Sequence, residues 1–160
     1  MTFRAFVDRI LDTITDGEIE ILQTTFQDLL STDMKKIGMD SFLVLMSHYP
    51  QYKQLWSQFR FIPDSSLINA PELQNFAQIY MGSLQCVITQ FSDRQLIIET
   101  LERISKAHFN KKIKRYHIEH LLPCFLEIME RKNKGPLDNE VKKAWSNLFS
   151  IIASIVEQYK

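Results

Sequence analysis

Glycine and proline are scarce in this chain, with four and five among 160 residues. A sandwich or meander of strands needs a turn signal about every 8–12 residues, so this scarcity argues against an all-β fold. Net charge is missing as well. Nineteen lysines and arginines balance nineteen acidic residues, which leaves no electrostatic footprint for nucleic acid or an anionic membrane. No apolar run approaches the ~18–20 residues that span a bilayer. The first residues, Met1 to Ile14, space their apolar groups apart and so do not read as a secretory core. A Met-Thr start is also wrong for myristoylation. The only cysteines, Cys86 and Cys124, fall inside apolar stretches; they read as buried, reduced thiols, which favours a cytoplasmic setting. There is no Gly-rich phosphate loop, no Cys/His nucleophile pattern and no paired carboxylates, so the chain does not read as an enzyme.

What the sequence does have is helical periodicity from end to end. Phe3, Phe6, Val7, Ile10, Leu11 and Ile14 recur at the spacing of one helix face. After Asp16-Gly17, with Asp16 as the expected cap, Ile19, Leu22, Phe26, Leu29 and Leu30 continue the pattern. A third helix is predicted over residues 32–48, with Ile37, Phe42, Leu45 and Met46 inward, and Pro50 sets a corner. Residues 61–70 read as irregular around Pro63-Asp64-Ser65-Ser66. Pro71 suits the first turn of the next helix. Ser92 and Gln95 suggest a capping box for a helix through Leu96, Leu101, Ile104 and His108. Lys134-Gly135-Pro136 separates two long final helices, the last starting near Asp138 with Val141, Trp145, Leu148, Phe149 and Ile152 inward. The length fits one domain, and the pattern predicts an all-α fold of about eight helical segments, two of them short. Pattern alone leaves open whether this bundle is a cofactor pocket or an interaction module.

Four local patterns then resemble the globin family. Gly38-x-x-x-Phe42, His48-Tyr49-Pro50 and Leu55-Trp56-x-x-Phe59 are similar to the second helix, the proline corner and the aromatic pair that grips the porphyrin. Phe76-Ala77-x-x-Tyr80-Met81-x-x-Leu84 resembles the distal helix, and Leu101-x-x-Ile104-x-x-Ala107-His108 resembles the proximal one. Leu137-Asp138 followed by Ala144-Trp145 is similar to the start of the last helix. Their order and separation carry the resemblance, which covers residues 16–160; residues 1–15 are left as an amphipathic N-terminal extension. The overall style is closest to invertebrate globins such as those of nematodes. Physics supports one pairing directly. Glycine inside a helix costs ~1 kcal/mol against alanine, so Gly38 needs a packing reason, and a close crossing over Ala77 supplies one.

The resemblance implies haem b held by His108 as the proximal iron ligand, with O2, CO or NO as the diatomic ligand. It places Phe42, Trp56, Phe59, Phe76, Tyr80, Leu84, Leu101, Ile104, Ile113, Ile118 and Leu121 around the porphyrin. Lys112 is the first candidate for the propionates, with Lys111, Arg60 and Arg103 as alternatives. The chain departs from the oxygen-storing pattern on the distal side. Phe76 stands where the family usually has histidine or glutamine, and Tyr80 stands where it usually has valine. The pocket is therefore expected to be apolar, with the Tyr80 hydroxyl as the one replacement donor. A slip of register would bring Gln78 or Ile79 to the ligand instead. His117 and His120 lack the further ligands that zinc needs and read as solvent-facing; His48 reads as structural or exposed. Transport, sensing, electron transfer and a haem-free interaction module all stay open, as do a monomer and a homodimer.

Overall fold

The computed structural model describes residues 1–160 as eight α-helices with no strand. They are α1 (Phe3–Leu11), α2 (Asp16–Thr25), α3 (Met34–His48), α4 (Asp64–Leu67), α5 (Pro71–Thr89), α6 (Arg94–Asn110), α7 (Arg115–Asn133) and α8 (Asn139–Gln158). A single π-turn, Phe26–Leu30, follows α2, and a 3-10 turn, Pro50–Leu55, follows the Pro50 corner. The predicted inward residues of α3 are all buried, and those of α8 are buried or half-buried.

Local chemistry sets the ends of the helices, and it corrects two of the sequence expectations. Thr15, not Asp16, caps α2. The Thr15 hydroxyl accepts from the Glu18 amide at 3.1 Å while the Glu18 carboxylate accepts from the Thr15 amide, also at 3.1 Å. At α6 the cap is Asp93 rather than a Ser92–Gln95 box, its carboxylate accepting from the Leu96 amide at 3.1 Å. A shift of one residue follows, leaving Leu96 42% exposed while Ile97 takes the core position. The stop after α7 uses Lys134 in the left-handed region, with φ 58°, although Gly135 follows it. Pro123 lies inside α7 on its exposed face, and the apolar stripe from Ile118 to Met129 runs through it unbroken.

The close crossing expected at Gly38 is present. α3 packs on α5 and α7. A Cβ on Gly38 would meet the Met81 Cγ at 2.9 Å, the Ala77 Cβ at 3.1 Å and the Ala77 carbonyl oxygen at 3.2 Å. No side chain fits there without movement.

The first helix is not free. Val7 and Leu11 are buried, and α1 lies against α6 and α8. Arg4 pairs with Glu102 at 2.7 Å, while Arg94 pairs with Asp8 at 3.1 Å and Asp12 at 2.8 Å. These ion pairs are largely solvated, so the buried apolar face does most of the holding.

Candidate ligand cavity

The helices enclose a cavity of about 590 Å3, within the range of small-molecule and cofactor sites. Sixteen of its 24 lining residues are hydrophobic, so it favours a largely apolar occupant. α3, α5, α6, α7, α8 and the 3-10 turn all contribute to its lining.

One wall is aromatic. Phe42 is its hub, with ring centres 4.8 Å from Phe76, 5.0 Å from Tyr80 and 5.8 Å from Trp56, all edge-to-face. Phe42 comes from α3, whose approach to α5 is set by Gly38. The Tyr80 hydroxyl has no hydrogen-bond partner in the protein, and burial pushes its pKa up, so it stays a protonated donor. Gln78 is exposed and off the lining, while Ile79 reaches the mouth.

His108 lies on α6 with Ile104 on the same wall, and Ile113, Ile118 and Leu121 continue it from the α6–α7 turn and α7. The His108 Nδ1 is 2.8 Å from the Ile104 carbonyl oxygen. A carbonyl only accepts, so Nδ1 carries the proton and Nε2 keeps its lone pair. Burial lowers the His108 pKa below the ordinary value, against the hydrogen bond to Ile104, and nearby Lys111 lowers it further. The ring is therefore neutral with Nε2 unengaged in the protein. That is the state a metal-ligating imidazole needs.

Eight other expected pocket residues line the cavity: Phe42, Trp56, Phe76, Tyr80, Leu84, Ile113, Ile118 and Leu121, together with Ile104 beside His108. Three do not. Phe59 is buried behind the wall, against Trp56 at 5.5 Å and Phe76 at 5.8 Å. Leu101 sits two turns, about 10 Å, along the helix from His108 and packs into the core instead. Lys112 was placed one helical turn after His108, but α6 ends at Asn110 and Lys112 takes φ 60°, so the helical spacing no longer applies. The cations on the lining are Arg103 and Lys111. Arg60 lies elsewhere, over the Phe61 ring at 4.9 Å.

Sequence reasoning missed Tyr52, Val87, Phe149 and Ile152 on the lining. In a periodic pattern a residue facing a cavity looks the same as one facing the core. It also misplaced two histidines. His117 is buried, and its Nδ1 accepts from the Lys114 amide at 2.8 Å, closing the start of α7. His120 is half-buried, with its Nδ1 2.7 Å from the Tyr52 hydroxyl. Only His48 is exposed.

The buried His117 gives the fold a pH dependence. Burial lowers its pKa first, with His120 and Lys114 adding to the effect. The unfolded chain then takes up a proton before the folded one does. Its contribution is complete above the unfolded value, about 6.5, and is lost as pH falls from there toward the lowered folded value. The urea midpoint is expected to fall as pH drops through this window. His117→Asn, which keeps an acceptor for the Lys114 amide, should flatten the fall; an unchanged slope would remove His117 as the cause.

A helical fold around an apolar cavity, with a neutral imidazole on its wall, suits a largely apolar occupant and leaves one ring nitrogen able to ligate a metal. The comparison with known families agrees. The globin family model matches residues 40–156, from within α3 to near the end of α8, and the chain belongs to the globin family. Its fold is the globin fold, with α1 and α2 preceding the matched residues. No curated protein matches the sequence.

Proposed function

We propose that this globin binds haem b through Nε2 of His108 and takes a diatomic gas, O2, CO or NO, beside the aromatic wall. The observation that carries the reading is the state of His108: a neutral ring on an apolar cavity wall, with Nδ1–H committed to the Ile104 carbonyl and Nε2 free. The residues fit the group. The cavity is apolar and roomy, and Arg103 and Lys111 supply cations for its propionates. When bound, the haem supplies an iron that takes up the gas; the protein fixes its orientation, keeps the site dry and offers one donor. The function is binding rather than enzymatic turnover. The free thiols Cys86 and Cys124 favour a cytoplasmic setting, and residues 1–15 form an extension docked on the domain.

Adding haemin to the purified protein tests the reading. A Soret band at one equivalent supports it, whereas protein that stays colourless favours a haem-free interaction module.

Tyr80 sharpens the proposal. Bound O2 carries partial negative charge, and the unpartnered Tyr80 hydroxyl is the donor in the aromatic wall. Losing such a bond costs about 1–3 kcal/mol, so Tyr80→Phe should speed O2 dissociation roughly 5- to 150-fold. CO, which is less polar when bound, should change much less. Stopped-flow dissociation rates check this; equal changes for both gases would reduce Tyr80 to a packing role.

A further inference from the structure

Net charge is zero, yet the cations are not spread evenly. Six of the nineteen lysines and arginines fall within residues 103–118, a stretch with no acidic residue. Of these six, Arg115 is ion-paired, to Glu119 and to Glu157, each at 3.3 Å. The other five, Arg103, Lys106, Lys111, Lys112 and Lys114, are exposed and pair with no carboxylate.

The fold gathers this run onto one surface. Lys106 precedes Phe109 by three residues on α6, so the two side chains are neighbours. α6 then ends, and Ile113 turns in to line the cavity, which leaves Lys112 and Lys114 exposed on either side of it. The Arg115–Glu157 pair ties the start of α7 to the end of α8. Just beyond, the Tyr159 ring stands edge-to-face with Phe109 at 5.7 Å and with Phe3 at 5.3 Å. Phe109 itself stays 52% exposed. A bare phenylalanine backed by aromatic rings thus sits among unpaired lysines. Both features are costly in water, where gathered like charges repel and an apolar ring stays hydrated.

We propose that this face, the end of α6 and its turn into α7, docks on an anionic lipid bilayer. Phe109 enters the headgroup boundary, and the lysines meet the anionic headgroups around it. Side-chain type favours lipid over other anionic partners. Four of the five unpaired cations here are lysines, point charges on flexible stems that can follow a fluid array of headgroups. Nucleic-acid and phosphopeptide sites draw on arginine forks, and Arg103 alone offers one among these five. An acidic protein would satisfy the lysines but would need a pocket shaped to Phe109, whereas lipid moulds itself to the ring. No helix is long and apolar enough to cross the membrane, so the contact is peripheral. Arg103 and Lys111 also line the cavity, so the docked face carries the edge of the cavity to the lipid. Lys106, Phe109, Lys112 and Lys114 lie off the lining, so the face can be altered without touching the proposed haem site.

Co-sedimentation of the full chain with vesicles tests the face. Binding is expected to phosphatidylcholine vesicles containing one-third phosphatidylserine and not to phosphatidylcholine alone, and salt should weaken it. Each lysine at such a surface contributes roughly 5-fold, so Lys106→Gln, Lys112→Gln and Lys114→Gln combined should weaken binding about 100-fold. The same charge change elsewhere, Lys35→Gln with Lys134→Gln and Lys143→Gln, should cost less than about 5-fold. Phe109→Ser should weaken binding about 10-fold, the low end of what burying a phenylalanine yields. A Phe109→Trp reporter keeps the test open if the triple variant loses its helical ellipticity. Its emission should shift to the blue on anionic vesicles and be quenched by lipids brominated in the acyl chain. Equal binding to neutral vesicles, no binding to anionic ones, an unquenched reporter or a control loss as large as that of the triple variant overturns the proposal. So does binding to polyglutamate or single-stranded RNA under conditions that leave anionic vesicles bare, which would make that polymer the model of the partner.

Discussion

His108→Gly is expected to abolish the Soret band at haemin concentrations that saturate the unsubstituted protein. The loss follows from the tautomer. Nδ1 is committed to the Ile104 carbonyl, so only Nε2 is left to reach an iron. No other histidine lines the cavity except His117, whose Nδ1 already accepts from the Lys114 amide. Altering the partners behind a metal ligand typically costs 10- to 100-fold in affinity, so removing the ligand itself should exceed about 100-fold. Free imidazole at millimolar concentration should restore the band, because the substitution leaves a space of that shape on the wall. Competition for haemin against a second haem-binding protein measures both effects. A Soret band that survives His108→Gly unchanged, without imidazole, would remove His108 from the iron. A helix with the same ellipticity in both proteins would show that the fold is not the cause.

Gly38→Val is expected to have the largest effect on stability. Even a single Cβ would come within 2.9 Å of the Met81 Cγ and 3.2 Å of the Ala77 carbonyl. Met81 is flexible and can yield, but the Ala77 backbone can move only by shifting α5. Helix propensity favours valine over glycine by less than about 1 kcal/mol, so it cannot compensate. Valine adds two methyl groups to the clash and should cost at least the ~3 kcal/mol upper end of ordinary overpacking. Because Phe42 is four residues along the same helix, separating α3 from α5 also opens the Phe42–Phe76 and Phe42–Tyr80 contacts. Urea unfolding reads the stability loss. Wild-type stability in Gly38→Val would show that the crossing has slack which the geometry denies it.

These two positions also show what could be read from the sequence. Gly38 stood out because a helical glycine needs a reason, and His108 because ordered patterns surrounded it. Both arguments concern one residue against its local helix, and both place the residue without the fold. The errors are of another kind. Lys112 stands off the lining because α6 ends at Asn110 and the helical spacing does not carry past it into the left-handed turn. Phe59 and Leu101 lie off the lining, because an apolar stripe does not say which of its members faces space and which faces packing. His117 and His120 were assigned to solvent from their polarity. Only the folded chain brings the Tyr52 turn and α7 together, 68 residues apart, to give His120 its partner. The caps were off by a single residue each, Thr15 for Asp16 and Asp93 for Ser92, since neighbouring polar side chains compete for the same amides.

The ion pairs of α1 have a mechanical consequence. They grip α6 at Arg94, its first residue, and at Glu102, two turns in, while His108 rides on the last turn beyond both. Packing against α5 and α8 holds the helix too, so the pairs add to its support at the root. The pairs are made of charges standing in water, so each is weak and is weakened further by salt. Dissolved salt therefore loosens the pairs while the buried Val7 and Leu11 face stays in place. The first fifteen residues thus bear on the helix of His108 from outside, since none of them reaches the cavity.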